Sequence, residues 1–429
     1  MKPQDSSQTG TPSILDHDLN QYFPELLKFE STPEMEASEL YARIRHEVER
    51  VMNAVVSESR PVGTSAGGQL AELSPTLTEP GVASSATNWP AAYAAGSDIT
   101  ALAWNIERGI QFDGIVDALK NHEQLKDKDV LLLTELDYGM ARSGNRFVAR
   151  ELASELKMNY AFAPVYIPLQ KGSGVESDMS GENTKSIHGL AMMSPWPLKN
   201  VHTVPLPNGK DKMWGKEKRL GWLRALVADI EHPASEFRAV TVHLDVHCSR
   251  KHRQRQMRII LDHLATLPPL PTIIGGDWNT TTFNIQTSTH AILGYFRRIA
   301  MGIRHVAKNH FPHPDRYFER AMFADVEARG YEYRSFNEEG IGTLHYDMDS
   351  VKTNANLSDW VPGWCFPLLF WAAEQVGGKV SGRLDWFAGK GIEIAAGTKP
   401  QTVGNLVNDN GEPLSDHDAI NLDFVIAKR

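Results

Sequence analysis

From Ile99 onward the apolar residues alternate with polar ones or run in short blocks between polar clusters, the pattern of β-strands. "TALAWN", "DVLLLTEL", "HGLAMMS", "GWLRALVADI", "FRAVTVHLD", "PTIIGGD", "RLDWFAG" and "AINLDFVIA" are the predicted strands. Between some of them the apolar residues return at helical spacing, in "FDGIVDALKNH", "NRFVARELASELK" and "SRKHRQRQMRIILDHLATL". Many strands with few helices between them favour two packed sheets flanked by helices over a fully alternating parallel sheet.

Two stretches depart from this pattern. Residues 1–98 form an N-terminal extension. Thr32 and Pro33 supply an N-cap and a first-turn proline, and Leu40, Ile44, Val48, Val51, Met52 and Val55 then predict a helix over about 32–58. Residues 60–97, rich in Gly, Ala, Ser, Thr and Pro, read as a flexible linker. The body then runs over 99–429, with an insertion at about 280–382 that is too long to be a bare connection. Within it Ile292, Phe296, Ile299, Ile303 and Val306 mark an amphipathic helix carrying Arg297, Arg298, Arg304, His305 and Lys308. Such a helix either lies on an anionic membrane or packs on the core with its arginines in water. The aromatic stretch "SDWVPGWCFPLLFWAAE" reads as a lid, a pocket wall or ordinary core.

Composition narrows the class. Hydrophobic content of 41% and charged content of 23% are those of a globular protein. Two cysteines, Cys248 and Cys365, build no disulfide framework and match no zinc spacing. With no secretory signal or apolar run long enough to span a bilayer, a reducing, cytoplasmic setting is the expectation. Residues 1–98 hold 14 acids and 6 bases, a balance of −8 out of the total of −9, so the body is nearly neutral at −1. That weighs against indiscriminate binding of long nucleic acid, which rests on a basic surface.

Polar residues recur where the apolar strands end. Asn105 ends "TALAWN", Glu135 follows "VLLLT", and His243 and Asp245 end "AVTVHLD". Asp277 and Asn279 follow "TIIGG", Asp385 sits inside "RLDW", and Ser415, Asp416 and His417 open the last strand. In "IIGGDWN" the two glycines permit backbone angles or a close approach that other residues cannot. Asp277 and Asn279, two apart, project from one face if the chain stays extended. Burying such groups unpaired costs several kcal/mol in total, so they satisfy one another, a bound ion, or both. Carboxylates, amides and histidines without thiolate suit Mg²⁺ or Mn²⁺, and histidine suits proton transfer. Together they describe metal-assisted attack of water on a phosphoester.

"WNIERG", "LLTELD", "HGLAMMS", "TVHLD", "GGDWN", "RLDW" and "LSDHDAI", in that order, resemble the motif series of the endonuclease/exonuclease/phosphatase (DNase I-like) superfamily over residues 99–429. The resemblance implies an α/β fold, a four-layer α/β/β/α sandwich of two packed mixed sheets, here with the helical extension added at the N-terminus. It also implies hydrolysis of a phosphoester, nuclease-like on a phosphodiester, with Mg²⁺ as cofactor and Mn²⁺ as its substitute. Carried over residue by residue, Asn105, Glu135 and Asp416 match the metal site, with Glu107 near it. His243, Asp277, Asn279, Asp385 and His417 match the catalytic groups. The resemblance implies that Asp277 and Asn279 polarise the water and bind the phosphate and that Asp385 orients His417 as the acid of a hydrolase triad does, with the aspartate or the histidine as general base.

Asp245 and His247 stand as supporting candidates and Asp418 as an ordinary polar residue. Arg142, Asn145 and His188 are candidates for contact with a substrate phosphate or head group, or else residues of an exposed loop. The substrate class stays open between nucleic acid and a phospholipid or sphingolipid head group. A phosphoinositide phosphatase is a further alternative, and a catalytically silent binding module is the non-enzyme reading.

Overall fold

The structure, a computed structural model, describes residues 14–59, 98–280, 284, 287–347 and 363–427. In chain order the strands are β1 (Val56–Glu58), β2 (Ile99–Arg108), β3 (Val130–Tyr138), β4 (Asn159–Pro168), β5 (Ile187–Ser194), β6 (Leu198–Pro205), β7 (Arg219–Gly221) and β8 (Arg224–Glu231). They continue as β9 (Glu236–His243), β10 (Thr272–Asp277), β11 (Leu344–Asp347), β12 (Lys379–Gly382), β13 (Asp385–Lys390), β14 (Ile392–Ile394), β15 (Gln401–Val403) and β16 (Ala419–Ile426). One sheet runs β1-β4-β5-β3-β2-β16-β14, with β15 on β16 and β7 on β4; the other runs β13-β10-β9-β8-β6. Both are mixed, since β2 and β3 pair in parallel, as do β9 and β10, while their other neighbours are antiparallel.

Alternation along the strands sorts their side chains into layers. Ala101, Ala103, Val130 and Leu132 face inward and meet Leu226, Ala239, Ile273 and Phe387 of the second sheet. Leu102, Trp104, Leu131 and Leu133 face outward onto helices. On the far side of the second sheet, Val240, Val242 and Ile274 pack with Met257, Ile260 and Leu261 of the helix Arg250–Thr266 and with Phe323 and Val326 of the helix Arg320–Ala328. The result is the expected four-layer α/β/β/α order.

The two glycines of "IIGGDWN" serve different needs. A Cβ on Gly275 would stand 2.7 Å from both Leu132 Cδ1 and the Phe387 ring, so glycine here lets the sheets approach. Gly276 holds φ +128°, and a Cβ there would lie 2.2 Å from the Val242 carbonyl oxygen. Neither the angle nor the backbone oxygen can yield cheaply. Gly276→Ala is therefore expected to cost about 3 kcal/mol of unfolding free energy. A shift in the urea midpoint at unchanged slope would register it.

The N-terminal segment departs from the predicted continuous helix. It divides into Thr32–Glu36 and Glu39–Asn53. Ser31 caps the first by accepting from the Glu34 N–H, and the Ser38 hydroxyl caps the second by accepting from the Tyr41 N–H at 3.1 Å. Apolar spacing alone did not reveal that second serine cap. After Asn53 the chain becomes β1, which pairs with β4. Leu15, Leu19, Leu26, Ile44, Val48 and Val51 are buried in the same cluster as Trp104 and Leu133. This segment thus supplies part of the first sheet's outer layer. The predicted linker over residues 60–97 lies outside the described residues.

In the insertion, the helix predicted through Val306 is broken into Ser288–Ala300 and Ile303–Asn309. Gly302, at φ +91°, separates them. A further helix, Phe366–Glu374, carries most of the aromatic stretch, of which residues 358–362 lie outside the described residues.

Candidate active site

Strand register assembles one end of the second sheet. On β10, Asp277 is paired with His243 of β9 on one side and with Asp385 of β13 on the other. Three chemically active side chains from distant parts of the chain thus stand on neighbouring strands, about 4.8 Å apart in the pairing direction. Trp278 turns the opposite way and is fully buried against Phe323 and Trp386, their ring centroids 5.6 and 6.5 Å away. That anchor leaves Asp277 and Asn279 at the rim. Asn279 itself sits at φ +52°.

The first sheet contributes through irregular backbone. The β2–β3 register shifts between Asn105 and Arg108, and the β3–β5 register shifts between Leu133 and Leu136. Glu107, Arg108 and Glu135 hold φ values of +45°, +66° and +58°. Such angles are costly for residues with side chains and persist only where surroundings impose them. They aim Glu107 and Glu135 toward the rim instead of leaving them in the strand alternation.

Around Asp277 the polar groups converge. Its Oδ1 accepts from the Asn279 N–H at 2.8 Å. Its Oδ2 accepts from the side-chain amides of Asn105 and Asn279, each at 3.3 Å. His243 Nε2 lies 3.5 Å and His417 Nε2 3.9 Å from the same oxygen. Burial pushes the Asp277 carboxyl up to about 6, with Asp385 adding to the rise against the pull of His417 and His243. Asp385 Oδ2 meets His417 Nδ1 at 2.8 Å. Burial opposes a charge on His417, but the Asp385 carboxylate beside it outweighs that and raises the imidazole well above its ordinary value. His417 is also held through its backbone, its carbonyl accepting from Trp104 Nε1 at 2.9 Å and its N–H donating to the Ser415 hydroxyl at 3.1 Å.

Glu135 lies on the other side of His243, its Oε1 3.9 Å from Nε2. Its Oε2 is 3.3 Å from the Arg108 guanidinium, which also meets Glu176 at 3.0 Å. Burial works against ionisation of Glu135, yet Arg108 and the histidines hold its carboxyl well below the usual range. Glu107 accepts from the Asp416 N–H at 3.2 Å, and its own N–H donates to Asn105 Oδ1 at 3.1 Å. Asn105, Glu135, His243, Asp277, Asn279, Asp385, Asp416 and His417 therefore form one neighbourhood joined through these contacts.

A divalent ion can be tested against these donors. Among the described residues no group of three or more His, Cys, Asp or Glu side chains is arranged to hold a metal ion. Hard donors are nonetheless present: the Glu107 N–H donates to Asn105 Oδ1 and the Asp416 N–H to Glu107 Oε2, and Glu135 adds a further carboxylate to the same rim. Mg²⁺ is ordinarily held by one or two carboxylates and keeps several waters, so a closed protein cage is not required. The donor set fits such an ion.

The remaining candidates divide. Arg142 is buried, with its guanidinium on Asp137 at 2.8 and 3.1 Å, on Glu176 at 2.9 Å and on Glu217 at 3.3 Å. His188 Nδ1 meets the same Asp137 at 2.8 Å. Burial raises the Asp137 carboxyl, but Arg142 and His188 bring it down to about 2. Arg142 and His188 line the cleft, with the three guanidinium nitrogens of Arg142 and Nδ1 of His188 bonded within this cluster. Replacing Arg142 by Met would strand a fully buried carboxylate, at an expected cost of about 3–5 kcal/mol in urea unfolding.

Asn145, read as a substrate contact or else a residue of an exposed loop, ties its turn to the loop carrying Glu182 and Thr184. Its amide donates to the Glu182 carbonyl at 3.0 Å and accepts from the Thr184 N–H at 3.1 Å. Asp245 is buried under Lys212 at 3.2 Å and the Gly209 N–H at 2.6 Å. Burial would raise its carboxyl, and Lys212 with these N–H donors takes it down to about 2. Burial brings His247 down to about 3. Asp418, read as ordinary, meets His345 Nε2 at 2.6 Å. Arg108 was not read as a site residue, though its place directly after Glu107 was the available signal. Thr343 was also missed: its hydroxyl accepts from the Asp385 N–H at 3.1 Å across the insertion, and no spacing reveals that.

These groups open into a cleft of about 490 Å³. Its floor is the polar rim. One wall is the loop carrying Lys210, Lys212, Trp214 and Arg219; the other comes from the insertion, with Tyr295, Ile299, Val306, Phe311, Leu369 and Phe370. The N-terminal segment braces the basic loop. Lys218 donates to the Leu27 and Phe29 carbonyls at 2.9 and 2.7 Å, and the Thr32 N–H donates to Asp211 at 2.8 Å.

Known proteins add to this geometry. The profile of the Endonuclease/Exonuclease/phosphatase family matches residues 102–417. No curated protein matches the sequence. Similar solved structures include an endonuclease/exonuclease/phosphatase family protein from Leptotrichia buccalis, 14% identical, covering 76% of this chain and 98% of its own, TM-score 0.42. A 3'-5' exonuclease from Neisseria meningitidis is 14% identical, with coverages of 76% and 99% and a TM-score of 0.40. D. rerio TDP2 complexed with a single-strand DNA product has the same identity, coverages and TM-score.

Proposed function

As the chain belongs to the Endonuclease/Exonuclease/phosphatase family, whose members hydrolyse phosphoesters and generally use divalent metals, we propose that it hydrolyses a phosphodiester with Mg²⁺ or Mn²⁺. The observation carrying this reading is the Asp277 carboxylate, raised to about 6 and set among His243, His417, Asn105 and Asn279.

In this reading Asp277 takes the proton of the attacking water. A carboxylate with a value near 6 is ionised at neutral pH and is a better base than an ordinary one. Asn279, whose amide donates to the Leu244 carbonyl at 2.8 Å and to Asp277 Oδ2 at 3.3 Å, orients the Asp277 carboxylate beside the phosphate. His417, kept protonated by Asp385, donates to a phosphoryl oxygen as negative charge develops there. His243, open to the cleft, contacts the phosphate or the departing oxygen. Glu135, Asn105 and Asp416 would hold the ion, with Glu107 beside them. When bound, the ion supplies charge neutralisation at the phosphate oxygens.

The apolar wall favours a second reading of the substrate, a diester bearing an apolar group, as in a phospholipid, over a bare nucleic-acid strand. Hydrolysis of bis-p-nitrophenyl phosphate and p-nitrophenyl phosphate, each with EDTA, Mg²⁺ or Mn²⁺, separates the alternatives. Metal-dependent cleavage favouring the diester supports the proposal. Preference for the monoester moves the assignment to a phosphatase. Failure on both, and on DNA, sphingomyelin and phosphoinositides, would leave the binding-module reading.

A further inference from the structure

Exposed apolar side chains are unevenly distributed over the molecule. Among the described residues, eight of the twelve exposed large hydrophobics lie in the insertion: Leu293, Phe296, Met301, Tyr317, Ile341, Tyr346, Trp364 and Trp371. The helix Ser288–Ala300 turns Tyr295 and Ile299 into the cleft but leaves Leu293 62% and Phe296 48% exposed. These two lie three residues apart, on one helix face. Trp364 and Trp371, 69% and 47% exposed, project from the neighbouring wall segment. The helix Phe366–Glu374, nine residues of almost wholly apolar sequence, has no buried residue at all. A helix of that composition ordinarily packs its apolar side away from water.

The charge on the helices Ser288–Ala300 and Ile303–Asn309 has one sign. From Trp278 to Pro314 there is no aspartate or glutamate, while Arg297, Arg298, Arg304 and Lys308 all fall within that stretch. Arg297, Arg304 and Lys308 are exposed. The chain as a whole is acidic, at −9, so this stretch runs against its average. Exposed aromatics beside exposed bases are what an anionic lipid interface binds, the aromatics entering the head-group region and the bases meeting anionic head groups. No helix among the described residues is long and apolar enough to cross a membrane, so such contact would be peripheral.

We propose that the insertion docks the protein on an anionic lipid surface through Leu293, Phe296, Trp364 and Trp371, flanked by Arg297, Arg304 and Lys308. The same helices wall the cleft, so docking places the cleft wall against the lipid. The inference does not depend on the chemistry proposed for the rim, because binding is read without turnover.

Flotation of the full chain with vesicles tests it, using phosphatidylcholine alone and an equal mixture with phosphatidylserine. The wild type is expected to float with the mixed vesicles and at least about tenfold less with phosphatidylcholine alone, and to be released by salt. Trp364→Ser/Trp371→Ser and Leu293→Ser/Phe296→Ser should each lose about tenfold in binding at an unchanged melting temperature, since all four side chains are exposed. Arg297→Gln/Arg304→Gln/Lys308→Gln should remove the preference for phosphatidylserine. The proposal is overturned if the wild type ignores both vesicles, or if folded variants bind as it does. It is equally overturned if light scattering finds a dimer that the tryptophan variant dissociates, since the surface would then belong to a second copy.

Discussion

Asp277→Asn is expected to lower kcat by about 10²–10⁴-fold, the range for loss of a positioned general base. The change removes a charge and almost no volume. Asp277 is 2% exposed and its carboxyl is already pushed up to about 6, so the folded protein holds that charge against a desolvation penalty. Replacing it relieves part of the penalty, while the new amide turns a donor toward the amides of Asn105 and Asn279. These effects oppose one another, and stability should change far less than turnover. Comparing kcat with the urea midpoint separates the two. A kcat within tenfold of wild type would place the base elsewhere on the rim.

Glu135→Ala should be nearly as damaging, at about 10³-fold in kcat/KM, and through a different route. Its carboxylate is the only Glu135 group facing both Arg108 and His243. Without it the proposed ion loses its best-placed charged donor, and the guanidinium of Arg108 keeps Glu176 alone among its two carboxylate partners. The loss should be partly recovered at high Mn²⁺ if the role is ligation, whereas Asp277→Asn should gain nothing from added metal. Binding of Mn²⁺ followed by its paramagnetic resonance gives a readout independent of turnover: weak binding is expected for Glu135→Ala and ordinary binding for Asp277→Asn. Equal Mn²⁺ affinity in Glu135→Ala and wild type would remove Glu135 from the metal site.

Much of the sheet core was legible because its strands are short apolar blocks ending on a polar residue. The chain order of those residues carried the family resemblance, and the register of β9, β10 and β13 accounts for why His243, Asp277 and Asp385 meet. β4 escaped the reading. Its sequence, NYAFAPVYIP, mixes alanine, asparagine and proline, which are poor strand formers, yet every residue of it is buried. Tertiary burial there overrides local preference. The break at Gly302 and the second cap at Ser38 were also hidden, since spacing alone runs through both.

At the rim, sequence motifs pointed to the side chains but not to their partners. Arg142 and His188 looked like free polar groups near a site, and only the fold brings Asp137, Glu176 and Glu217 around Arg142. Asn145 looked equivalent, and its side chain joins its turn to the distant loop carrying Glu182 and Thr184. The amphipathic helix posed a choice between membrane and core. Its apolar residues do neither job alone: Tyr295 and Ile299 line the cleft while Leu293 and Phe296 face out.

The central claim is that the Asp277 cluster activates water for attack at phosphorus. Turnover of bis-p-nitrophenyl phosphate with Mg²⁺ in ¹⁸O-labelled water, read by mass spectrometry of both products, tests it most directly. The account predicts one labelled oxygen in the p-nitrophenyl phosphate, none in the nitrophenol, and loss of this label incorporation in Asp277→Asn. Label in the nitrophenol, or labelled phosphate formed as fast by Asp277→Asn as by wild type, would contradict it.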